Sequence, residues 1–503
     1  MTLDDYRDER LKKLKEIRER GIDPYPAKTN RNTKIGDIVE KFDELDGKEV
    51  CIAGRITAIR SFGKLAFIKV RDYFGEVQLF MKAEAKNSLA ESNQSADENA
   101  EKTGVETNSD VFGVKDIKLL DTGDFIEATG KVGKSQTGEI SVFTNSVRLL
   151  TKTLRPLPGR DGFTNKEERY RRRYVDMNVN TEVRERMVRR SKFWQATRDF
   201  MNNHGFIEVN TPILEHTTGG ADANPFVTHM DALDEDFYLR ISQELPLKRL
   251  LGGGFEKVYD IGPRFRNEGV DDEHLPEHIA FESYVAYEDY EDGMKFYEEM
   301  IKYVAKETWG TLQFNVGGFE IDLDKEWPRV KYADLLMEKY GVDVFNPDAE
   351  QLKRILKENN VELSGDVSTA RMIDNVWKLI RKNSAGPYWL IEEPLSLSPL
   401  AKVVPENPKV TQRFHPIIAG SEMGNGYSEL NDPIDQLERF KEQQAMRDAG
   451  DDEAQMLDMD FVEMLEYGMP PACGWGNSER NFWLLEGVSG REGVPFPIIK
   501  SKN

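Results

Sequence analysis

Cysteine is nearly missing. Two residues in 503, Cys51 and Cys473, stand far apart and outside any CxxC or Cys/His ligand spacing. That excludes a disulfide framework and a thiolate zinc site, and it fits a reducing compartment. Long apolar runs are missing as well: no stretch approaches the roughly 18 apolar residues of a bilayer crossing. Met1 to Arg20 is charged and helical in pattern, where a secretory leader would carry a basic stub followed by an apolar block. A cytoplasmic protein with no membrane partner is expected. Positive charge is in deficit, since 69 Lys and Arg face 90 Asp and Glu for a net of −21. Such a chain repels nucleic acid on average, so any RNA binding must be local.

What is present is segmented. A chain of 503 residues exceeds one ordinary hydrophobic core, so two or three domains are expected. Residues 7–20 (RDERLKKLKEIRER) put Leu11, Leu14 and Ile17 on one stripe of a basic amphipathic helix, with Gly21 and Pro24 as the stop. The stripe predicts docking, and the basic face offers a second use on RNA phosphates. From about 48 to 150 come short β-branched or aromatic runs, EVCIAGRITAI, AFIKV, EVQLFM, DFIEATGKV and EISVF, punctuated by glycines, as in a small barrel of about five strands. Residues 86–110, rich in Ser, Asn, Glu and Ala, read as a surface insertion with too few apolar groups to offset ordering entropy. LRPLPGRDGF (154–163) breaks both periodicities and marks a linker. The expected divisions are 1–47 for the helix and lead-in, 48–153 for the barrel, 154–180 for the linker and 181–503 for a large α+β domain. That last domain opens with a helix at about 181–204 carrying Met187, Trp194 and Met201 at heptad spacing.

A barrel alone says little about nucleic acid. Phe67, on the second strand, offers a ring for an unpaired base, while Arg60 and Glu139 on neighbouring strands could bond to base edges. The competing reading makes Phe67 a plain core ring.

The most informative stretch is Pro263 to Tyr290, in which Phe265-Arg266-Asn267-Glu268 opens and Phe281-Glu282-x-Tyr284 closes a loop holding His274, Pro276 and Glu277. It resembles motif 2 of the class II aminoacyl-tRNA synthetases. GFIEVNTPIL (205–214), with Pro212, resembles motif 1, and 217–262, 391–403 and 420–440 resemble the lysyl enzymes of that class, in its IIb group. The resemblance covers nearly the whole chain outside 86–110. It implies an α+β molecule: an N-terminal five-stranded OB-fold barrel that reads the anticodon, then a catalytic domain on an antiparallel sheet flanked by helices. It further implies a homodimer, ATP, L-lysine and tRNA as substrates, and Mg²⁺ as cofactor.

Carried over residue by residue, Arg266, Glu268, His274 and Arg480 are the catalytic candidates, and Arg266, Glu268, His274, His278, Glu422 and Arg480 the ATP contacts. An attack by a carboxylate on the α-phosphorus of ATP brings two anions together, and a guanidinium such as that of Arg266 must neutralise both. Gly220 and Glu244 fall where the family holds the α-amino group. The side-chain pocket comprises Glu282, Tyr284, Asn425, Tyr427 and Glu429, holding two carboxylates and neither Lys nor Arg, so a substrate ammonium is expected to supply the missing cation. Glu422, Glu429 and His415 are the metal candidates, and Arg60, Phe67 and Glu139 the anticodon candidates.

Three departures from the family stand out. Motif 3 reads CGWGNSERNFWLL, one residue short before Arg480, with Cys473 at a glycine position. His278 stands where a phenylalanine stacks on adenine, with Leu275 in place of an asparagine, and His415 stands where a metal-binding carboxylate belongs. These departures motivate the rival expectation, a catalytically impaired relative acting as an RNA-binding or regulatory protein.

Overall fold

A computed structural model describes residues 2–83, 110–159, 162–271, 274–362, 367–450 and 454–502. The expected insertion at 86–110 lies, apart from Asp110, outside the described residues. The chain divides into two compact units, Met1–Thr164 and Asn165–Asn503.

In the first unit, helix Leu3–Glu19 begins at a capping box in which Thr2 Oγ1 accepts from the Asp5 N–H at 3.2 Å and Asp5 accepts from the Thr2 N–H at 2.6 Å. Leu14 and Ile17 are buried, as the stripe predicts. Arg10 is buried with them, donating to Thr153 Oγ1 at 2.6 Å and to the Thr122 carbonyl at 2.9 Å, while Lys13 meets Asp121 at 2.6 Å. Part of the basic face is therefore occupied by the barrel.

The barrel has five strands, Glu49–Phe62, Leu65–Arg71, Glu76–Lys82, Phe125–Lys134 and Ile140–Thr144. It closes because the long first strand serves two neighbours: its early residues pair with the fourth strand (Gly54 opposite Ile126) and its late ones with the second (Arg60 opposite Phe67). A register irregularity between Ile56 and Ala58 supplies the bend. At the crossing only glycine fits, since a Cβ on Gly54 would come within 2.7 Å of the Arg71 carbonyl. The third and fifth strands run parallel. Two short flanking strands, Val111–Phe112 and Val147–Thr151, extend the sheet.

The second unit starts earlier than expected. Residues 166–179, assigned to the linker, form helices Lys166–Arg171 and Arg173–Val179, tied by Asp176 to Arg169 at 2.8 Å and to the buried Arg173 at 3.0 Å. The long helix runs Thr181–Asn203, with Trp194 and Met201 buried. A mixed sheet succeeds it, in the order Arg329–Lys331, Tyr388–Ile391, Arg413–Ile418, Asn425–Ser428, Ala472–Ser478, Glu277–Ala286, Lys257–Phe265 and Ile207–Glu208, with Ser421–Glu422 paired to Arg413–Ile418. All but two of these pairings are antiparallel, the first and last being parallel.

One face of this sheet is apolar. Phe281, Val285, Cys473, Trp475 and Phe414 pack with Met294, Tyr297 and Ile301 of helix Tyr290–Trp309. That helix starts at the Asp289 cap, ends at Gly310 in the left-handed region, and seats closely at Gly293, where a Cβ would lie 2.5 Å from Cys473 Sγ. No helix among the described residues is long and apolar enough to cross a membrane.

Candidate active site

Strand alternation places the remaining side chains on the opposite face. Two cross-strand rows carry the site: Asp260, Glu282, Gly476 and Asn425 in one, and Val258, Tyr284, Gly474, Tyr427 and Arg413 in the next. Residues two apart on three strands thereby converge on a cavity of about 360 Å³. The two glycines make its floor. A Cβ on Gly474 would strike the Tyr284 ring and Glu429, and one on Gly476 would lie 3.0 Å from Glu282 Cγ.

Motif 3 lies on this floor. Ala472–Ser478 pairs with Glu277–Ala286 over seven consecutive residues without a register shift, so the glycine strand is regular up to Ser478. Glu479 alone turns the chain; it is buried, accepts from the Ile279 N–H at 2.9 Å, and pairs with Arg190 at 2.6 Å. Arg480 then opens helix Arg480–Glu486 and lines the cavity.

At the buried end, Gly220 sits in the left-handed region (φ 82°) against Glu244 and Ser242, where a Cβ would lie 2.7 Å from Glu244 Cβ. Glu282 accepts from Ser242 Oγ at 2.8 Å and from Tyr284 Oη at 3.4 Å, with Arg264 3.6 Å away. Glu244 accepts from Tyr427 Oη at 2.5 Å. Burial raises the Glu282 carboxyl above its ordinary range.

The expectation of a pocket without Lys or Arg is corrected here. Cations of the chain do stand against these residues: Arg264 and Arg413 line the cavity, Arg264 lying 3.6 Å from Glu282, and the fully buried Lys248 lies 2.6 Å from Glu244 and pairs with Glu429. Glu429 is therefore already paired by the chain itself, and its carboxylate lies close over the floor at Gly474, beside the Tyr284 ring. It is not free to hold a metal. Burial would depress the Lys248 ammonium, but the carboxylates of Glu244 and Glu429 raise it instead, whereas burial pushes Glu429 up to about 8.

At the open end stand Arg264, Arg266, Glu268, His274, His278 and Arg480. His278 is fixed on both nitrogens: Nδ1–H donates to the Leu275 carbonyl at 3.1 Å and Nε2 accepts from Arg264 Nε at 2.8 Å. Burial and the two arginines push it down to about 2, so the ring is neutral. Burial and the like charge of Arg266 lower Arg264 to about 9. The Arg266 guanidinium forms no ion pair among the described residues and its Nε is buried without a partner, which leaves it for a ligand anion. His274 is exposed and held by Asp271 at 2.9 Å, while Glu268 is exposed at the rim.

The donors around His415 do not fit a protein-held Mg²⁺. Glu393, fully engaged, meets Arg413 at 2.9 Å and His415 at 3.0 Å, and although burial alone would raise it, those two groups pull it down to about 2. Glu422 accepts from Trp377 Nε1 at 2.7 Å, with Arg381 at 3.6 Å and His415 at 3.8 Å. A single open carboxylate ringed by N–H donors is a poor site for an ion that demands several oxygens, and no cluster of three metal-binding acids, histidines or cysteines occurs among the described residues.

On the barrel, Arg60, Phe67, Phe80 and Phe143 stand in one cross-strand row. Phe67 is half-buried, its ring edge-on to Phe80 at 5.1 Å, and Arg60 beside it is exposed. Glu139 lies at the same surface, 3.5 Å from Lys69, which is two residues along the strand from Phe67. All three candidates share one face.

Lys248, Arg264, Arg413 and Glu393 join the site without having been expected there. Lys248 lies one helical turn after Glu244, and Arg264 and Arg413 precede Arg266 and His415 by two residues, so helical and strand periods point to them. Glu393 has no such signal.

Residues 165–500 match the model of a family described as tRNA synthetases class II (D, K and N), and residues 50–102 match an OB-fold nucleic acid binding domain. Among relatives, the chain is 43% identical to a lysine–tRNA ligase of Thermotoga maritima over 99% of its own length and 97% of that protein. It is 42% identical to that of Fervidobacterium nodosum, over 99% and 94%, and 41% identical to that of Moorella thermoacetica, over 98% and 97%.

Proposed function

The chain belongs to the class II tRNA synthetases of the D, K and N group, and on that premise we propose that it activates L-lysine with ATP and transfers the lysyl group to tRNA. The observation that carries the choice of lysine is the acidic end of the cavity, where Glu244 and Glu282 line the wall. An aspartate substrate would place a third carboxylate among them at a large desolvation cost. Full-length similarity to lysine–tRNA ligases supports the same choice.

Each residue has its share of the work. Gly220 and Glu244 take the α-ammonium, and Glu282 with Tyr284 and Asn425 reads the side chain. Arg266 bridges the lysine carboxylate and the α-phosphate, neutralising both as the carboxylate oxygen attacks phosphorus and pyrophosphate leaves. Arg480 meets the outer phosphates and the neutral His278 ring lies against the base. A hydroxyl of the 3′-terminal ribose then attacks the mixed anhydride carbonyl and AMP departs. Mg²⁺ enters with ATP as part of the substrate. The barrel face of Arg60, Phe67 and Glu139 binds unpaired anticodon bases. Self-association through the motif 1 segment is supported by Ile207, Ile213 and Leu214, all exposed apolar side chains. No observation favours an impaired relative.

Pyrophosphate exchange into ATP, measured with lysine, aspartate and asparagine in turn, tests this reading. Exchange with lysine alone is expected, and exchange with another of the three, or with none, overturns it.

A further inference from the structure

One carboxylate lies buried on the apolar side of the catalytic sheet. Along Ala472–Ser478 the residues that alternate away from the cavity floor are Cys473, Trp475 and Asn477, and the next in step is Glu479, 1% exposed. Glu479 also opens helix Arg480–Glu486, its carbonyl accepting from the Trp483 N–H at 3.0 Å. A polar side chain at that position commonly caps its own helix, but that of Glu479 makes no such bond. It turns back to the sheet instead. Oε1 accepts from the Ile279 N–H at 2.9 Å, while the Glu479 N–H donates to the Ile279 carbonyl at 3.0 Å, so both backbone groups of the residue after His278 are held. Oε2 accepts from Arg190 Nε at 2.8 Å and lies 2.6 Å from the second arm of that guanidinium. Both oxygens are thus engaged on two different elements, and the residue that follows is Arg480, which lines the cavity.

The far end of the same short helix is fastened to the same long one. Glu486 accepts from Arg189 Nε at 3.0 Å and Nη2 at 2.5 Å, and from Trp309 Nε1 at 2.9 Å. Consecutive arginines of helix Thr181–Asn203 therefore clamp both ends of a seven-residue helix. Stability alone would account for the clamp at Glu486, since neither of its chain neighbours lines the cavity. It would not account for a carboxylate buried directly before Arg480 and bonded to the strand that carries His278, where an apolar side chain would carry no desolvation cost. We propose that Glu479, seated by Arg190, is a positioning residue for ATP: it fixes the first turn of the short helix against the motif 2 strand, so that the Arg480 guanidinium meets the outer phosphates while His278 keeps the base. This deepens the lysine-activating reading and rests on it.

Lysine-dependent exchange by the unaltered protein comes first, since its absence would remove the lysine reading itself and is distinguishable from any effect of the variants. Glu479→Gln keeps the side-chain shape and an acceptor for Ile279 but loses the charge that holds Arg190. It is expected to raise the KM for ATP about 10- to 100-fold, the range for a small displacement of a substrate-holding group, with the KM for lysine changed less than about threefold. Equal rises in both, or a KM for ATP within about threefold of wild type in a folded protein, overturn the proposal. The route through Arg480 is read from a double-mutant cycle: in an Arg480→Ala background Glu479→Gln should change the KM for ATP less than about threefold, and a full multiplicative loss refutes the role. Glu486→Gln serves as comparator, expected to lower the melting temperature and to leave the KM for ATP within about threefold of wild type; a rise matching that of Glu479→Gln would reduce both acids to supports of the helix. Should Glu479→Gln not fold, Arg190→Lys decides, because it keeps the charge and gives up the fork: a KM for ATP raised at least about fivefold with an unchanged KM for lysine sustains the proposal, and the lack of a selective rise refutes it.

Discussion

At the residue scale, the site is defined by which charges are already spent. Arg264 is engaged by His278 and Glu282, whereas the Arg266 guanidinium faces the cavity without an ion pair among the described residues. Arg266→Ala should therefore leave the fold intact while lowering pyrophosphate exchange roughly 100- to 1,000-fold, the range for removing one transition-state donor. Retention of exchange within tenfold, in a protein with unchanged melting temperature, would assign the α-phosphate to another group. The acids give a second outcome. Burial raises Glu282, and pushes Glu429 from 4.5 up to about 8. A raised acid is neutral below its folded value, so the free protein loses stability as pH climbs from about 4.5 to 8 and the carboxyl is forced to ionise. A substrate ammonium favours the ionised form, so lysine binding should expel protons and tighten as pH rises from 6 to 8, by up to about tenfold per pH unit for one proton. Calorimetry in buffers of differing ionisation enthalpy reads that release directly, and a pH-independent Kd would mean that both acids are ionised in the free cavity.

At the element scale, much is legible in the sequence because strand and helix periods are strong signals. The five barrel strands and the helix Thr181–Asn203 fall where alternation and heptad spacing put them. Motif 2 forms two paired strands, Lys257–Phe265 and Glu277–Ala286, on the antiparallel sheet that the family resemblance implies. The linker is shorter than composition suggests because an Arg-rich stretch, RYRRRYVDM, carries little apolar periodicity, its helices resting on the buried Arg173–Asp176 pair instead. Lys248 lies one helical turn after Glu244, but a lysine at that spacing reads equally as a solvated helix position, and only the fold buries it. Phe67 illustrates how an element can serve both of its competing readings. Its strand buries Ala66, Ile68 and Val70 and turns Phe67 outward, half-covered by Phe80. Phe67→Ala should thus cost about 0.5–1.5 kcal/mol of barrel stability through the lost ring pair. It should also raise the KM for tRNA by about 5- to 150-fold, the equivalent of roughly 1–3 kcal/mol of base stacking. Exchange without tRNA should stay unchanged. A stability loss with no effect on the tRNA KM would leave Phe67 as a core ring only.

At the scale of the whole molecule, the surface next to the site carries the remaining inference. The segment 205–215 supplies an edge strand, Ile207–Glu208, to the catalytic sheet and a second strand, Leu214–Glu215, to a three-stranded sheet with Glu235–Leu239 and Val227–Met230. Three of its apolar side chains point outward: Ile207 is 51% exposed, Ile213 39% and Leu214 44%. Side chains of this kind on paired strands cost little in a monomer when scattered, but a cluster of them on one short segment is what a subunit contact covers. The same segment reaches the site, because Thr211 accepts from Arg240 at 2.7 Å and donates to Asp260 at 2.6 Å, and Asp260 shares its cross-strand row with Glu282. The exposed segment and the cavity are thus linked through two buried residues, Arg240 and Asp260. Leu214→Glu is surface-exposed and should not disturb the core, yet it would bury a charge in the contact at a cost of several kcal/mol. Light scattering across a hundredfold dilution should show the wild type at twice the chain mass and the variant shifting to the single-chain mass. Exchange activity should fall with the dimer fraction and recover at high protein concentration. A wild type that sediments as a monomer at all concentrations, with full activity, would remove self-association from the description of this protein.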